Sequence, residues 1–395
     1  MEKKDDVVII GGGPTGSFVA EKIASKGYNV SIFEKKDKIG EPVNCAGLIS
    51  PRIFELCNIN KKQIIQNKIK GAIIHSPANN TIKIGGDRVH ALVINRKNFD
   101  QALIEKALDE GTELYLENKF ISGEKNGEYI EIKISKKGRH KCNLLIGADG
   151  PNSRVRKTFS FQEPKEFLTG IGAEIENTNL NPNFVEIFIG NNLAPGFFAW
   201  IIPTNDSGTT ARIGLCVKEK TKYPANYYFN NFLKNKITSN YLKNIKINNI
   251  IGGIIPLGPL DKFYKSNVML VGDAAAQVKP ASGGGIYTGL MCGKYCSSIA
   301  IEAINNDNFT TYYLKKYQKL YQKNIGRELE KGMKFRKIFK RLNDNQIDYY
   351  IEKFQNKKII EIISKYGDID YPSKLASKLL KKSPSLLKIA TKLIK

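Results

Sequence analysis

The sequence predicts an α/β protein: a Rossmann-like dinucleotide-binding domain, an α+β catalytic part built on a second, mainly antiparallel sheet, and a helical C-terminal region. Three observations carry this reading. Residues 7–16 read as strand, glycine-rich turn and helix start; segments between about 166 and 255 are β-rich; and residues beyond Phe309 show helical patterning only.

Val7, Val8, Ile9 and Ile10 form an apolar run suited to a strand buried in a parallel sheet. Gly11, Gly13 and Gly16 follow as G-x-G-x-x-G, and Pro14 opens a helix reaching to Lys26. Gly11 permits a tight turn, Gly13 lets a pyrophosphate approach the backbone, and Gly16 lets helix and strand pack closely. The helix N-terminus offers unpaired N–H groups and the positive end of its dipole. A second strand, 29–33, leads to Glu34, placed about 20 residues beyond the glycines, where an acid binds ribose hydroxyls. The Gly- and Pro-containing loop 35–50 includes Cys45 and is long enough to lie against a ligand. Helical material is expected at 51–65 and strands at 69–75, 81–84 and 90–94. Asn95 caps a helix from Arg96 to Gly111 that buries Phe99, Leu103, Ile104, Ala107 and Leu108. Strands at 113–116, 119–122, 129–135 and 143–146 follow.

The first domain is therefore expected at 1–165, with inserted β segments near 69–94, and resumes at 256–305. The second, 166–255, holds strands at 170–175, 185–189, 196–202 and 209–217 and a helical insert at 226–236. A helix from Gly284 to Ile304 ends the first domain, and 306–395 is helical.

Of the 395 residues, 41% are hydrophobic and 25% charged, the balance of a globular chain that can bury sizeable cores. No apolar run approaches the roughly 20 residues of a membrane-spanning helix. The charged start at 1–6 leaves no room for a signal peptide, so a cytoplasmic location with reduced thiols is expected. Cys292 and Cys296 share a helix face and lack metal-ligand or redox spacing, and no metal is expected. His75, His90 and His140 lie outside any motif and are read as structural or surface residues. The net charge of +24 favours an acidic partner: nucleic acid, an anionic membrane surface or an acidic electron-transfer protein. Equally, the lysines can serve solubility alone. No nucleic-acid-binding motif accompanies the charge, and no nucleic acid is expected.

Three distant motifs combine: the glycine fingerprint with Glu34, Asp149-Gly150 in GADGPNSRVR, and Gly272-Asp273 in VGDAAAQVKP. With Arg96 opening its helix, this set resembles that of the p-hydroxybenzoate-hydroxylase-like flavoproteins. The resemblance implies FAD, with Asp273 at the ribityl chain and Gly283, Gly284, Gly285 and Ile286 beside the isoalloxazine. A helix N-terminus there would stabilise negative charge on the reduced ring. Within that superfamily the chain resembles the geranylgeranyl reductases, particularly archaeal reductases of digeranylgeranylglycerol phospholipids. Their motif P-x-x-Y-x-W-x-F-P appears as PGFFAWIIP. Pro195, Trp200 and Pro203 match; Phe198 replaces the tyrosine and Ile202 the phenylalanine. The result is a more apolar wall, and Pro195, Phe198, Trp200 and Pro203 are the expected substrate contacts. The family places a cysteine over the flavin, which maps to Cys45, with Ala46 and Gly47 beside the cofactor.

The resemblance implies saturation of C=C bonds in polyprenyl chains of glycerolipids, by hydride transfer from reduced flavin N5 with proton delivery assisted by Cys45. No second dinucleotide fingerprint is present, so NAD(P)H docks transiently or a reduced ferredoxin donates the electrons. The basic surface favours an acidic ferredoxin. The lysine- and leucine-rich tail from Tyr371 to Lys395 either binds an anionic membrane, making the protein peripheral on the inner face of the cell membrane, or packs as a solvated helical face. Competing readings are a flavin monooxygenase of the same fold, an electron-transfer flavoprotein and a nucleic-acid-binding flavoprotein.

Overall fold

The computed structural model describes residues 4–382. An eight-stranded sheet forms its first layer. Its parallel centre runs Val268–Leu270, Gly138–Gly147, Lys4–Ile10, Val30–Phe33, Glu113–Tyr115, and a hairpin of Phe120–Asn126 and Tyr129–Ile134 extends from Gly138–Gly147. Val7 to Ile10 are at most 4% exposed because helices cover them and neighbouring strands flank both edges. Helix Pro14–Ala24 packs between Arg96–Asp109 and the long helix Ile286–Asn305, so the chain's first and last nucleotide-domain helices are neighbours. Asn95 caps Arg96–Asp109 by accepting from the Asn98 N–H at 3.1 Å. Leu108, expected inside, is instead exposed, because it lies on the solvent flank of this helix's stripe.

The second sheet has seven strands in the order Lys246–Leu257, Glu166–Glu176, Thr210–Lys218, Phe198–Pro203, Phe184–Ile189, Gly71–His75, Thr81–Gly85. All its pairs are antiparallel except Phe184–Ile189 with Gly71–His75. Two of its strands thus come from the segment expected as an insert in the first domain. The expected single strand at 69–75 splits at Lys70. Ile65–Ile69 pairs with Ala91–Ile94 in a small sheet with Leu48–Ile49, while Lys70 and Gly71 donate their N–H groups to the Asn183 carbonyl at 2.7 and 3.1 Å and cross over. A side chain at Gly71 would meet the Ile84 carbonyl and the Phe184 ring. The helix expected at 51–65 stops at Cys57, where Asn58 turns left-handed (φ 49°). Strand Lys246–Leu257 escapes a periodicity reading, because its Asn-Asn and Gly-Gly pairs hide the alternation.

The histidines pair with acids away from the glycine motifs: His75 Nε2 with Glu186 at 2.6 Å in a buried pair, His140 with Asp5 at 2.7 Å, and His90 with Asp87 at 3.4 Å. Cys292 and Cys296 are buried free thiols. Among the described residues, no helix is long and apolar enough to cross a membrane.

The C-terminal helices bind the second sheet to a helix and a loop of the first domain. Arg336, on helix Arg327–Phe339, pairs with Glu166 and donates to the Gly196 carbonyl at 3.0 Å. Asp344 accepts from the Asn191 N–H at 2.7 Å, and Ser364 Oγ accepts from the Gly85 N–H at 2.8 Å. Asp370, with 0% exposure, is held between Lys279 (2.9 Å) and Arg52 (3.0 Å). Helix Pro372–Lys382 begins there, and Lys374 and Lys378 lie over the rings of Tyr371 and Tyr366 at 4.5 and 4.0 Å. The start of the basic tail therefore lies against the protein; its remainder, 383–395, falls outside the described residues. Asp370→Asn removes the charge that two cations share, and we expect a loss of about 3 kcal/mol. Thermal unfolding and faster proteolysis between Gly367 and Tyr371 are the measurements.

Candidate functional site: a dinucleotide cradle under an aromatic wall

The first strand ends in a backbone that tolerates no side chains except where a ligand would enter. A Cβ at Gly11 (φ 106°) would collide with the Ala148 carbonyl oxygen, and one at Gly16 with the carbonyl of Gly11. At Gly13 an added Cβ would meet nothing within 4 Å. Gly13 is also the N-cap of helix Pro14–Ala24, which has Pro14 in its first turn and no side-chain cap. Glu34, 8% exposed, accepts the Gly12 N–H at 2.8 Å and the Lys36 N–H at 3.0 Å, so the acid is rigidly tied to the glycine turn. This open, donor-rich concavity fits a pyrophosphate, with Glu34 at its rim for a ribose.

Asp149 organises its own loop. Its carboxylate accepts from Ser153 Oγ and the Arg154 N–H, both at 2.6 Å, and from the Val155 N–H at 3.0 Å. Burial nevertheless pushes its carboxyl above the ordinary range. Gly150 (φ 80°) stands open beside it. Arg156, which the motif reading quoted without a role, is 1% exposed; it donates to the carbonyls of Ala274 (3.1 Å) and Pro151 (2.9 Å), bolting the Asp149 loop to the Gly272–Asp273 turn. Its only sequence signal is a cation three residues after a helix-capping Ser153.

The Gly272–Ala275 turn is braced by Gln277, fully buried, whose Oε1 accepts the Gly272 N–H at 2.8 Å. Asp273 faces Gly285, where a Cβ would sit 2.8 Å from its Oδ1. Burial pushes the Asp273 carboxyl up to about 6, against the pull of the Arg96 charge. Arg96 forms a bidentate pair with Asp100 at 3.1 and 2.9 Å. Burial works against the charge of Arg96, but Asp100 and the sulfur of Cys45, within hydrogen-bonding reach, outweigh it and hold the guanidinium firmly protonated. Cys45 and Arg96 are thus neighbours, and Asp273, from a third part of the chain, lies near enough to feel the charge of Arg96. Cys45 Sγ also accepts from the Gly47 N–H at 3.4 Å.

Gly283 to Gly285 lead into helix Ile286–Asn305, capped by Gly285 without a side-chain partner. A Cβ at Gly283 would lie 3.2 Å from Ile255 and 3.5 Å from Phe197, so this turn sits directly against the second sheet; at Gly284 it would lie 3.0 Å from Lys279. The Ile286 side chain packs on the cluster around Phe18 and Phe99, which leaves only its backbone to the turn.

Alternation along Phe198–Pro203 sends Phe198 and Trp200 to one face, their rings 6.1 Å apart and edge-on, while Ala199 and Ile201 join the opposite core. Pro195 and Pro203 are buried at the two ends of this wall. Their carbonyls accept from the Lys218 N–H and from Asn67, both at 3.0 Å. Two features of this face were not read from the sequence. Gly170, Gly172, Gly214 and Gly253 share it by register, and the Trp200 ring lies so close that a Cβ at Gly214 would come within 2.6 Å. Arg212, 5% exposed, points from it into the first domain: it donates to the carbonyls of Ala46 (3.2 Å) and Ile94 (2.9 Å), to Gln66 (2.8 Å) and to Glu174 (3.0 Å). A lone arginine in a β run gives no sequence signal for such a role.

Two predictions follow from this geometry. Gly13→Val fills space that nothing in the protein occupies, so we expect FAD affinity to fall at least about tenfold, or ~1.4 kcal/mol, with little change in thermal stability; Gly16→Val should impair folding itself. In protein freed of cofactor, Asp273 has a folded-state value raised above its unfolded one near 3.9. Its contribution to stability is therefore present below about pH 4 and lost as pH rises through about 6. Unfolding of the wild type relative to Asp273→Asn across that window reads the loss directly.

A family model described as an FAD binding domain matches residues 4–305. A digeranylgeranylglycerophospholipid reductase of Methanocaldococcus jannaschii is 32% identical, covering 97% of this chain and 96% of its own length. A protein of the same name from Methanococcus vannielii is 31% identical over 100% and 99%. An uncharacterised M. jannaschii protein is 36% identical over 96% of each chain. Among solved structures, a geranylgeranyl bacteriochlorophyll reductase-like protein from Thermoplasma acidophilum shares the fold over 100% of both chains, with a TM-score of 0.86 at 22% identity. The p-nitrophenol 4-monooxygenase of Pseudomonas putida shares it less closely, with a TM-score of 0.70 at 15% identity over 92% of this chain and 98% of its own. The cradle and the full-length matches agree: this chain belongs to the FAD-binding-domain flavoproteins and, within them, to the geranylgeranyl reductase family.

Proposed function

We propose that the protein is an FAD-dependent reductase that saturates C=C bonds in the polyprenyl chains of archaeal-type glycerolipids. The observation that carries this reading is an open glycine cradle at Gly13 in a domain whose Gly283 turn, near Asp273, packs against Phe197 and Ile255 beside the apolar wall of Phe198 and Trp200. The names of the full-length relatives support the same substrate class.

Gly11, Gly13 and Gly16 would hold the pyrophosphate, Glu34 a ribose, and Asp273 the ribityl chain, with Gly283 to Gly285 along the ring. Reduced FAD, when bound, supplies a hydride. The remaining work belongs to side chains. An isolated trisubstituted alkene has no carbonyl to accept charge, so a proton must be positioned at one alkene carbon, and Cys45 Sγ is the group that holds it. Arg96 orients that sulfur, and Asp100 orients Arg96. Arg212 is a positioning residue, fixing the carbonyl after Cys45 and the one that precedes Asn95-Arg96. Phe198 and Trp200 exclude water and, with the glycine-lined strands, leave a smooth apolar surface for a flexible chain. We assign reduction of the cofactor to transiently docked NAD(P)H or to an acidic ferredoxin, the latter favoured by the net charge of +24. The same charge supports attachment to an anionic membrane, where the substrate resides.

Anaerobic incubation of dithionite-reduced protein with an unsaturated digeranylgeranyl lipid, followed by mass spectrometry, tests the reading. Gain of hydrogen pairs is expected, and no mass change across several prenyl lipids would refute it. Cys45→Ser should slow turnover about 10²-fold, the lower range for a lost general acid, with FAD content unchanged.

A further inference from the structure

The second sheet ends in a long edge strand with an unusual surface. Strand Lys246–Leu257 pairs with Glu166–Glu176 on one side and, among the described residues, has no strand on the other. Of the ten exposed large hydrophobic residues among those described, four lie here: Tyr223, Tyr227, Ile247 and Ile250, the last 69% exposed. An apolar groove of about 350 Å³ runs between Ile250 and Ile254 of this strand, Ile171 of its neighbour and Ala225 at the start of helix Ala225–Leu233. Tyr223 and Tyr227 flank Ala225 along the chain, with ring centroids 4.1 Å apart. The segment 218–257 has seven lysines (218, 220, 222, 234, 236, 243 and 246) and one acid, Glu219; of these, Lys246 pairs with Glu176 of the neighbouring strand at 3.8 Å.

We propose that this edge docks on an anionic phospholipid bilayer, with Ile250 and the two tyrosines entering the interface and the lysines meeting headgroups. Tyrosine favours the water–lipid boundary, and clustered lysines are drawn to anionic lipid. Edge-to-edge pairing of two copies would bring two such lysine sets together, which opposes self-association. The opposite face of the same strand belongs to the site. A Cβ at Gly253 would lie 4.0 Å from that of Asn44, the neighbour of Cys45, and Ile255 lies against the Gly283 turn. One strand therefore has the membrane on one face and the glycine-lined wall on the other, which would let a prenyl chain reach Cys45 from the bilayer. This last consequence rests on the reductase reading; the docking itself does not.

The test is flotation of the FAD-loaded protein with vesicles of equal parts phosphatidylglycerol and phosphatidylcholine, against phosphatidylcholine alone. We expect salt-sensitive binding to the anionic vesicles. Ile250→Glu combined with Tyr227→Glu should weaken it at least tenfold, and Lys220→Glu with Lys222→Glu should do likewise; flavin content checks folding. Absence of wild-type binding, or binding that both variants retain, overturns the proposal; so does a wild-type dimer that the first variant dissociates. Turnover on detergent-dispersed lipid is read separately, so a failed reductase assay leaves the vesicle result standing, and a failed vesicle assay leaves turnover standing.

Discussion

One buried guanidinium ties the second sheet to the small sheet and loop that lead into the site. Arg212 leaves the second sheet and ends among the carbonyls of Ala46 and Ile94 in the first domain. A buried charge needs acceptors, and these carbonyls supply two of them, so the arginine and the loop hold each other in place. Because Ala46 follows Cys45 and Ile94 precedes the cap of the Arg96 helix, the same interaction sets where the thiol and the site's cation meet. Gly47 is a glycine for the same reason: a Cβ there would run into Arg212.

Around that bolt the site divides its tasks by physical type. Backbone that cannot accommodate side chains forms the cradle, buried charge forms the polar end, and aromatic and glycine surface forms the apolar end. The polar end is expensive to build: burial opposes the charge of Arg96, which Asp100 offsets, and it pushes the Asp273 carboxyl up against the pull of Arg96. The apolar end needs no such matching. A prenyl chain offers no hydrogen bonds, so in the proposed reading the Trp200 ring, packed over Gly214, would meet it by shape alone.

The C-terminal helices explain why a chain of this family covers its relatives end to end. They are not an appendage: Arg336, Asp344 and Ser364 bond to the second sheet and its turns, and Asp370 to Lys279 and Arg52 in the first domain. Asp370 reaches Lys279, whose carbonyl accepts the Gly283 N–H at 2.9 Å, so the last described turns of the chain touch the turn expected beside the cofactor ring.

Much of this was written locally in the sequence. Strand, glycines, helix and Glu34 lie within a few dozen residues, and their spacing determines a turn whatever the rest of the chain does; the same holds for the Asn95 cap and for the alternation of Phe198 and Trp200. The sequence by itself therefore determined the cofactor cradle, the layered architecture and the apolar wall. Only the tertiary structure decided which sheet residues 71–85 join, that Lys246–Leu257 forms an exposed edge, and that Arg212 and Arg156 bolt the site together. Most of these depend on partners more than a hundred residues away along the chain: Gly71 on Phe184, Arg212 on Ala46, Gln66 and Ile94, and Arg156 on Ala274. A strand pairs, and an arginine donates, equally well to any free carbonyl; which carbonyl is near is a property of the packed molecule and not of the residues on either side.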